Sequence, residues 1–210
     1  MSICPIEYTD FNKDLIEYST YEYYLNAYEE MIVKIKYLDN SLYLNTPILY
    51  CSYFNPKQNL LTLKIDDHHS FYDKLVKLHL KVSHDINENS EQWFGLNIDP
   101  LDNWKDKPSY WSYFSSSDSI EVYLSEDLQI FNLNQKLIYP YNNQNLNLKE
   151  LLVGRYMLTS LKVEGIFYDQ KKRCGLSMEV SQIVIDTDIP TIENRCFIPI
   201  SYDNFKKFKQ

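Results

Sequence analysis

His68, His69, His79 and His84 lie close together in the sequence, with Asp66 and Asp67 just before them, which is enough to raise the question of a metal centre. The spacing answers it. Zinc sites need ligands fixed at short, characteristic intervals, and neither an H-x-x-x-H pair nor a cysteine cluster accompanies these histidines, so they are expected at the surface. Asp66 and Asp67 do not make a calcium loop. Cys4, Cys51, Cys174 and Cys196 are far apart with no C-x-x-C pair, the pattern of free thiols in a reducing compartment. No G-x-S-x-G elbow occurs, and no cysteine stands in a recognisable catalytic setting. The four glycines, at 95, 154, 165 and 175, are too scattered to cradle a phosphate. Carboxylate pairs for acid–base work stay open, because sequence does not fix their neighbours in space. No catalytic residue, metal or cofactor is therefore expected.

One stretch is different in kind. "VEGIFYDQKKRCGLSMEV", residues 163–180, reads as two strands joined by a tip that carries Lys171, Lys172 and Arg173 beside Phe167 and Tyr168. Cations next to flat rings suit an unpaired nucleic-acid strand: bases stack on aromatics while phosphates follow the positive charge. Stacking contributes on the order of 1–3 kcal/mol per base and tolerates any sequence, since every base has a π face.

The chain as a whole constrains how such a site would work. It has 210 residues and a formal charge of -8, which argues against coating duplex DNA by bulk phosphate neutralisation but leaves room for a local basic groove. Acidity concentrates at one end: Glu7, Asp10, Asp14, Glu17, Glu22, Glu29 and Glu30 stand against Lys13 alone in residues 1–30. With 44% hydrophobic residues, 19 tyrosines and 10 phenylalanines the chain can build a core, and tyrosine favours strands. Neither a signal-peptide pattern nor an apolar run of membrane-spanning length is visible, so a soluble, cytoplasmic protein is expected.

The elements that would position these residues are mostly strands. "YSTYEYYLNAYEE" sets Tyr21, Tyr24, Leu25 and Tyr28 at helical spacing, with Ser19 and Glu22 as a capping box, and a tyrosine-rich strand is the alternative. "MIVKIKYLDNSLYLNTPILYCSYFN" reads as consecutive strands with turn chemistry at "LDNS" and Pro47 at a strand edge or start. A turn at 55–59 and a strand at "LLTLKI" follow. From Ser70, available as N-cap, Phe71, Leu75, Leu78 and Val82 share one face of an amphipathic helix, with a strand through "KLHLKV" as the alternative. Residues 84–118, with Trp93, Trp104 and Trp111, lack a clear period and are expected to be an irregular insertion. Strands resume at "SIEVYLS" and in a hairpin turning at "NLNQ". Two long strands then flank the basic tip, and the second slips phase at "SQIV", as a bulge would make it. The expected domains are an acidic N-terminal segment over 1–30, a single mainly β domain over 31–200, and a basic tail over 201–210.

"MIVKIKYLDNSLYLNTPILY", with its strand pair leading into "TP", and "LKVEGIFYDQKKRCGLSMEVSQIVI", with Gly-Ile-aromatic, a basic turn and Val-x-Gln-Ile, resemble the OB-fold-type single-stranded DNA-binding proteins of large cytoplasmic DNA viruses and related linear plasmids. The resemblance is clearest over residues 31–50 and 150–185. It implies a five-stranded OB-fold-like antiparallel barrel with helical and loop insertions, which coats replication intermediates without catalysis.

On this reading Tyr50, Tyr53, Phe54, Trp93, Trp111, Phe167 and Tyr168 are the expected stackers. Lys34, Lys36, Lys57, Arg155, Lys162, Lys171, Lys172 and Arg173 are the expected phosphate contacts. Phe167 and Tyr168 point opposite ways on a regular strand, so both cannot serve one face. The expected partner is single-stranded DNA, with replication proteins such as a polymerase or helicase beside it; no membrane is involved, and homo-oligomers stay open. The rival reading is a non-enzymatic protein–protein adaptor on the same scaffold, for transcription or assembly, since fold does not settle function.

Overall fold

The computed structural model describes residues 3–19, 31–65, 68–95, 110–111, 114–116, 118–140, 147–168, 174–187, 192–193 and 198. Its strands are β1 (Ile3–Glu7), β2 (Ile16–Tyr18), β3 (Met31–Tyr37), β4 (Asn40–Asn45), β5 (Leu49–Asn55), β6 (Leu60–Lys64), β7 (Tyr110–Trp111), β8 (Phe114–Ser116), β9 (Ser119–Asn132), β10 (Lys136–Tyr139), β11 (Tyr156–Tyr168), β12 (Cys174–Ile185) and β13 (Ile192–Glu193). The helices are α1 (His69–Phe94) and α2 (Leu148–Leu152), with a short 3-10 turn at Lys13–Leu15.

Register closes five of these strands into a ring. β5 pairs with β6, β6 with β9, β9 with β12, β12 with β11, and β11 returns to β5 through Met157 opposite Leu49 and Tyr156 opposite Tyr50. All contacts are antiparallel except β9 with β12. The protein is thus mainly β, with a closed OB-fold-like barrel. Closure leaves the ring without a free edge.

Bulges supply the bending that closure requires. Ser160 pairs with Gln182 and Leu161 with Val180, so Ser181 is the extra residue, where the sequence phase slips. Its hydroxyl donates to the Ser160 carbonyl at 3.1 Å.

β11 uses one edge for three partners in turn: β5 at its start, β4 at Ser160–Val163, and β3 at Gly165–Tyr168. Between the last two, β3 and β4 leave the ladder as a hairpin that turns at Leu38 and Asp39, with φ of 49° and 64°, the left-handed pair whose twist suits a two-residue hairpin. Gly165 makes the switch feasible, since a Cβ there would lie 2.1 Å from the Val33 carbonyl oxygen. Pro47 falls in the gap between β4 and β5, where no ladder donor is needed, and the Thr46 and Thr159 hydroxyls meet there at 3.0 Å.

α1 lays Phe71, Leu75, Leu78, Val82 and Ile86, all fully buried, against the barrel core. The helix is longer than the sequence period suggests. It runs through residues 84–94, which were expected to be irregular, and ends at Gly95, whose φ of 69° terminates it. Its N-cap is His68 rather than Ser70. Polar residues such as Asn87, Glu88 and Asn89 hide the period, but Ile86, Ser90 and Trp93 continue the buried stripe. Asp85 fixes the helix to β2, accepting from the Tyr18 hydroxyl and, at 2.9 Å, from Lys81 Nζ.

β1 and β2 also change the reading of the N-terminus. Residues 3–7 pair in parallel with β4, and 16–18 pair with β3, so this part of the acidic segment belongs to the sheet. The helical reading of "YSTYEYYLNAYEE" concerns residues 20–30, outside the described ones, as does the tail 201–210.

Candidate nucleic-acid interface

A strand buries alternate residues, and on β5 the inward set is Leu49, Cys51 and Phe54. Between Cys51 and Tyr53 the register with β6 shifts, leaving Ser52 as a bulge. The bulge decides the outer surface: it brings Tyr50 and Tyr53, three positions apart, onto the same side of the barrel wall. Across the closure, Tyr156 of β11 lies against Tyr50, with ring centroids 5.2 Å apart and planes tilted by 55°. Lys64 of β6 is the register partner of Tyr50 on its other side. Tyr53 is 53% exposed, and Tyr156 and Tyr123 are each 40% exposed, so their ring surfaces are open to a ligand.

Tyr123 extends this face to β9. Val122 and Leu124 on either side of it are buried, and its partner on β6 is Leu60. Lys57 is exposed in the turn that joins β5 to β6. Arg155, just before Tyr156, donates from its guanidinium to the Asp186 carbonyl at 3.2 Å, which holds that group near the closure. The face therefore combines four tyrosines with Lys57, Lys64 and Arg155, with the acid Glu121 opposite Thr62 among them.

Several expected residues are elsewhere. Phe54 is 2% exposed and Trp93 5%, both in the main core, and neither presents a ring to a ligand; Phe167 is also buried. Trp93 instead packs on Tyr18 at 4.8 Å. Tyr168 is half-buried and stacks on Phe94 at 5.4 Å and 29°, which ties the end of β11 to the end of α1. Lys34 and Lys36 are half-buried on β3; Lys34 pairs with Gly165 near the end of β11 opposite to Tyr156, and Lys36 lies between Glu17 of β2 and Ser41 of β4. The Trp111 side chain and Lys171, Lys172 and Arg173 lie outside the described residues, as does Trp104.

Lys162 has a different setting from the one expected. Its Nζ is 2.5 Å from Glu164 Oε1, and its register partners are Tyr43 on β4 and Glu179 on β12. Burial pulls the Lys162 pKa down, but the bond to Glu164 and the nearby Glu179 outweigh it, and the pKa is raised. Glu179 is also raised, first by burial and then by Glu164, with the Ser125 hydroxyl and Lys162 acting in the other direction. This ammonium is matched by neighbouring carboxylates.

Of the expected set, the structure brings together Tyr50, Tyr53, Lys57 and Arg155, and it adds Tyr123, Tyr156 and Lys64. The signal for Tyr123 was present in the sequence: if Ile120, Val122 and Leu124 point inward, Tyr123 points outward. Nothing in the sequence places Tyr156 against Tyr50, because that contact depends on barrel closure.

The histidines do not gather. His69 and His84 are exposed, and His84 faces Glu88 at 3.3 Å. His79 departs from the surface expectation, since it is 1% exposed on the inner side of α1, and burial lowers its pKa to about 4. Among the described residues no three His, Cys, Asp or Glu side chains are grouped to hold a metal, and no helix is long and apolar enough to cross a membrane.

No protein-family model matches the chain, and no curated protein does either. Among solved structures, the single-stranded DNA-binding protein from bacteriophage Enc34 in complex with ssDNA is 11% identical, with a TM-score of 0.44 over 76% of this chain and 93% of that one. Gp2.5, a single-stranded DNA binding protein encoded by bacteriophage T7, is 8% identical, with a TM-score of 0.42 over 76% and 97%. The barrel assignment stands on strand register, independently of these likenesses.

Proposed function

We propose that this protein binds single-stranded DNA without reading its sequence. The observation that carries the reading is the outer face of the barrel, where the Tyr50–Tyr156 pair and exposed Tyr53 and Tyr123 lie among Lys57, Lys64 and Arg155. Bases would stack on the rings while phosphates follow the cations, a mode that needs no base-edge hydrogen bonds and no catalytic group. A duplex keeps its bases stacked on each other and cannot use the rings. The role we assign is protection of replication intermediates in the cytoplasm, beside a polymerase or helicase, as the resemblance over residues 31–50 and 150–185 implies.

The test is a titration of the full chain with a polythymidine oligomer, followed by intrinsic fluorescence and competed by duplex and by RNA. Quenching with an affinity that falls as salt rises supports the reading. No quenching and no retention at low salt would leave the adaptor reading in its place.

A further inference from the structure

The ring face has a border whose chemistry is opposite to its own. Tyr123 on β9 is the register partner of Glu179 on β12, Glu179 is the partner of Lys162 on β11, and Lys162 is the partner of Tyr43 on β4. Both Tyr123 and Glu179 sit between buried neighbours, Val122 and Leu124 for the first and Met178 and Val180 for the second, so both point outward from the wall. Adjacent strands are about 4.8 Å apart, so a ligand on the Tyr123 ring is next to this carboxylate.

Glu179 does not stand alone. Glu164 adjoins it on β11, and Asp127 approaches from β9, where residues 125–128 loop out between the pairs Leu124–Val180 and Gln129–Gln182. Among the described residues Lys162 is the cation within this group, and it is ion-paired with Glu164. Like charges this close raise the free energy of a phosphate placed among them, by about 1 kcal/mol per pair at 4 Å even in water.

We propose that Glu179, Glu164 and Asp127 form an electrostatic stop that ends the nucleic-acid track at Tyr123, so that the bound strand turns off the barrel there and does not continue over β12. This inference rests on the single-strand reading and deepens it, because it gives the track a fixed end and the site a limited length.

The experiment measures affinity at pH 8 for a series of polythymidine oligomers of increasing length, with the parent protein and with the double variant Asp127→Asn/Glu179→Gln. Both substitutions remove charge at nearly constant shape, and circular dichroism checks that the variant folds. For the parent, affinity should stop rising at a short length. In the variant the rise should continue to longer oligomers, which bind severalfold tighter, while the shortest oligomers bind as they do to the parent. An unchanged plateau would overturn the inference and leave single-strand binding intact. An equal gain at every length would also overturn it, since that is a general charge effect. No binding by either protein would remove both readings together.

Discussion

Tyr50 and Tyr156 meet across the seam that closes the barrel, with ring centroids 5.2 Å apart, although they lie on strands far apart in sequence. The strand pairing that closes the barrel also sets these two rings together, at the β11 end of a face that runs across β5 and β6 to Tyr123 on β9. Replacing both rings by alanine should weaken oligothymidine binding by about 1–3 kcal/mol for each base that loses its stacking partner, roughly fivefold to 150-fold, with a smaller loss of stability than a core truncation gives, because Tyr156 is already 40% exposed and Tyr50 is half-buried. Fluorescence titration beside thermal melting separates the two effects.

Phe54→Ala should behave in the opposite way. Phe54 is 2% exposed in the core, so its truncation should cost about 3–5 kcal/mol of stability and alter binding only through unfolding. Denaturant unfolding measures the first, and binding per folded molecule measures the second.

Gly165→Ala should disrupt the switch of β11 from β4 to β3. The added methyl would lie 2.1 Å from the backbone oxygen of Val33, which cannot move aside without breaking the ladder. The expected result is a large loss of stability or of soluble protein, read by expression and by unfolding, and a Gly165→Ala protein as stable as the parent would show that β3 does not cross there.

Two groups, half-buried Glu179 and buried His79, give stability pH dependences of opposite sign. Burial and the nearby Glu164 raise the Glu179 pKa above its usual 4.5, so the folded chain holds that proton to higher pH than the unfolded chain. The contribution is fully present below 4.5 and is lost as pH rises through the raised value. Glu179→Gln, neutral at every pH, should therefore melt above the parent at pH 7, and the difference should shrink as pH falls toward 4.5.

His79 works in the other direction. Its pKa falls from 6.5 to about 4 on burial, so the unfolded chain binds the proton first and stability is lost as pH falls through that window. His79→Leu should flatten the loss between pH 6.5 and 4, as measured by melting temperature against pH.

What the sequence revealed, and what it hid, follows from the range of each signal. Local period showed the α1 stripe from Phe71 to Val82 and the slip at "SQIV" that becomes the Ser181 bulge. The end of α1 was masked by polar residues whose buried neighbours, Ile86 and Trp93, are recognisable only once the barrel is there to receive them. The same limit applied to the site. Residue type nominated Phe54 and Trp93 as readily as Tyr50 and Tyr53, but the bulge at Ser52 determines which of the β5 rings face out. The carboxylates around Lys162 were hidden for a similar reason: Glu164 is two residues away in the sequence, but Glu179 comes beside Lys162 only through pairing with β12.

The most direct test of the central claim is photo-crosslinking of the full chain to an oligothymidine that carries halogenated bases, followed by peptide mapping. Crosslinks concentrated on Tyr50, Tyr53, Tyr123 and Tyr156, and lost in the presence of excess unlabelled oligothymidine, are the predicted result. Efficient crosslinks that leave these four tyrosines unmarked and fall on another surface would contradict the account.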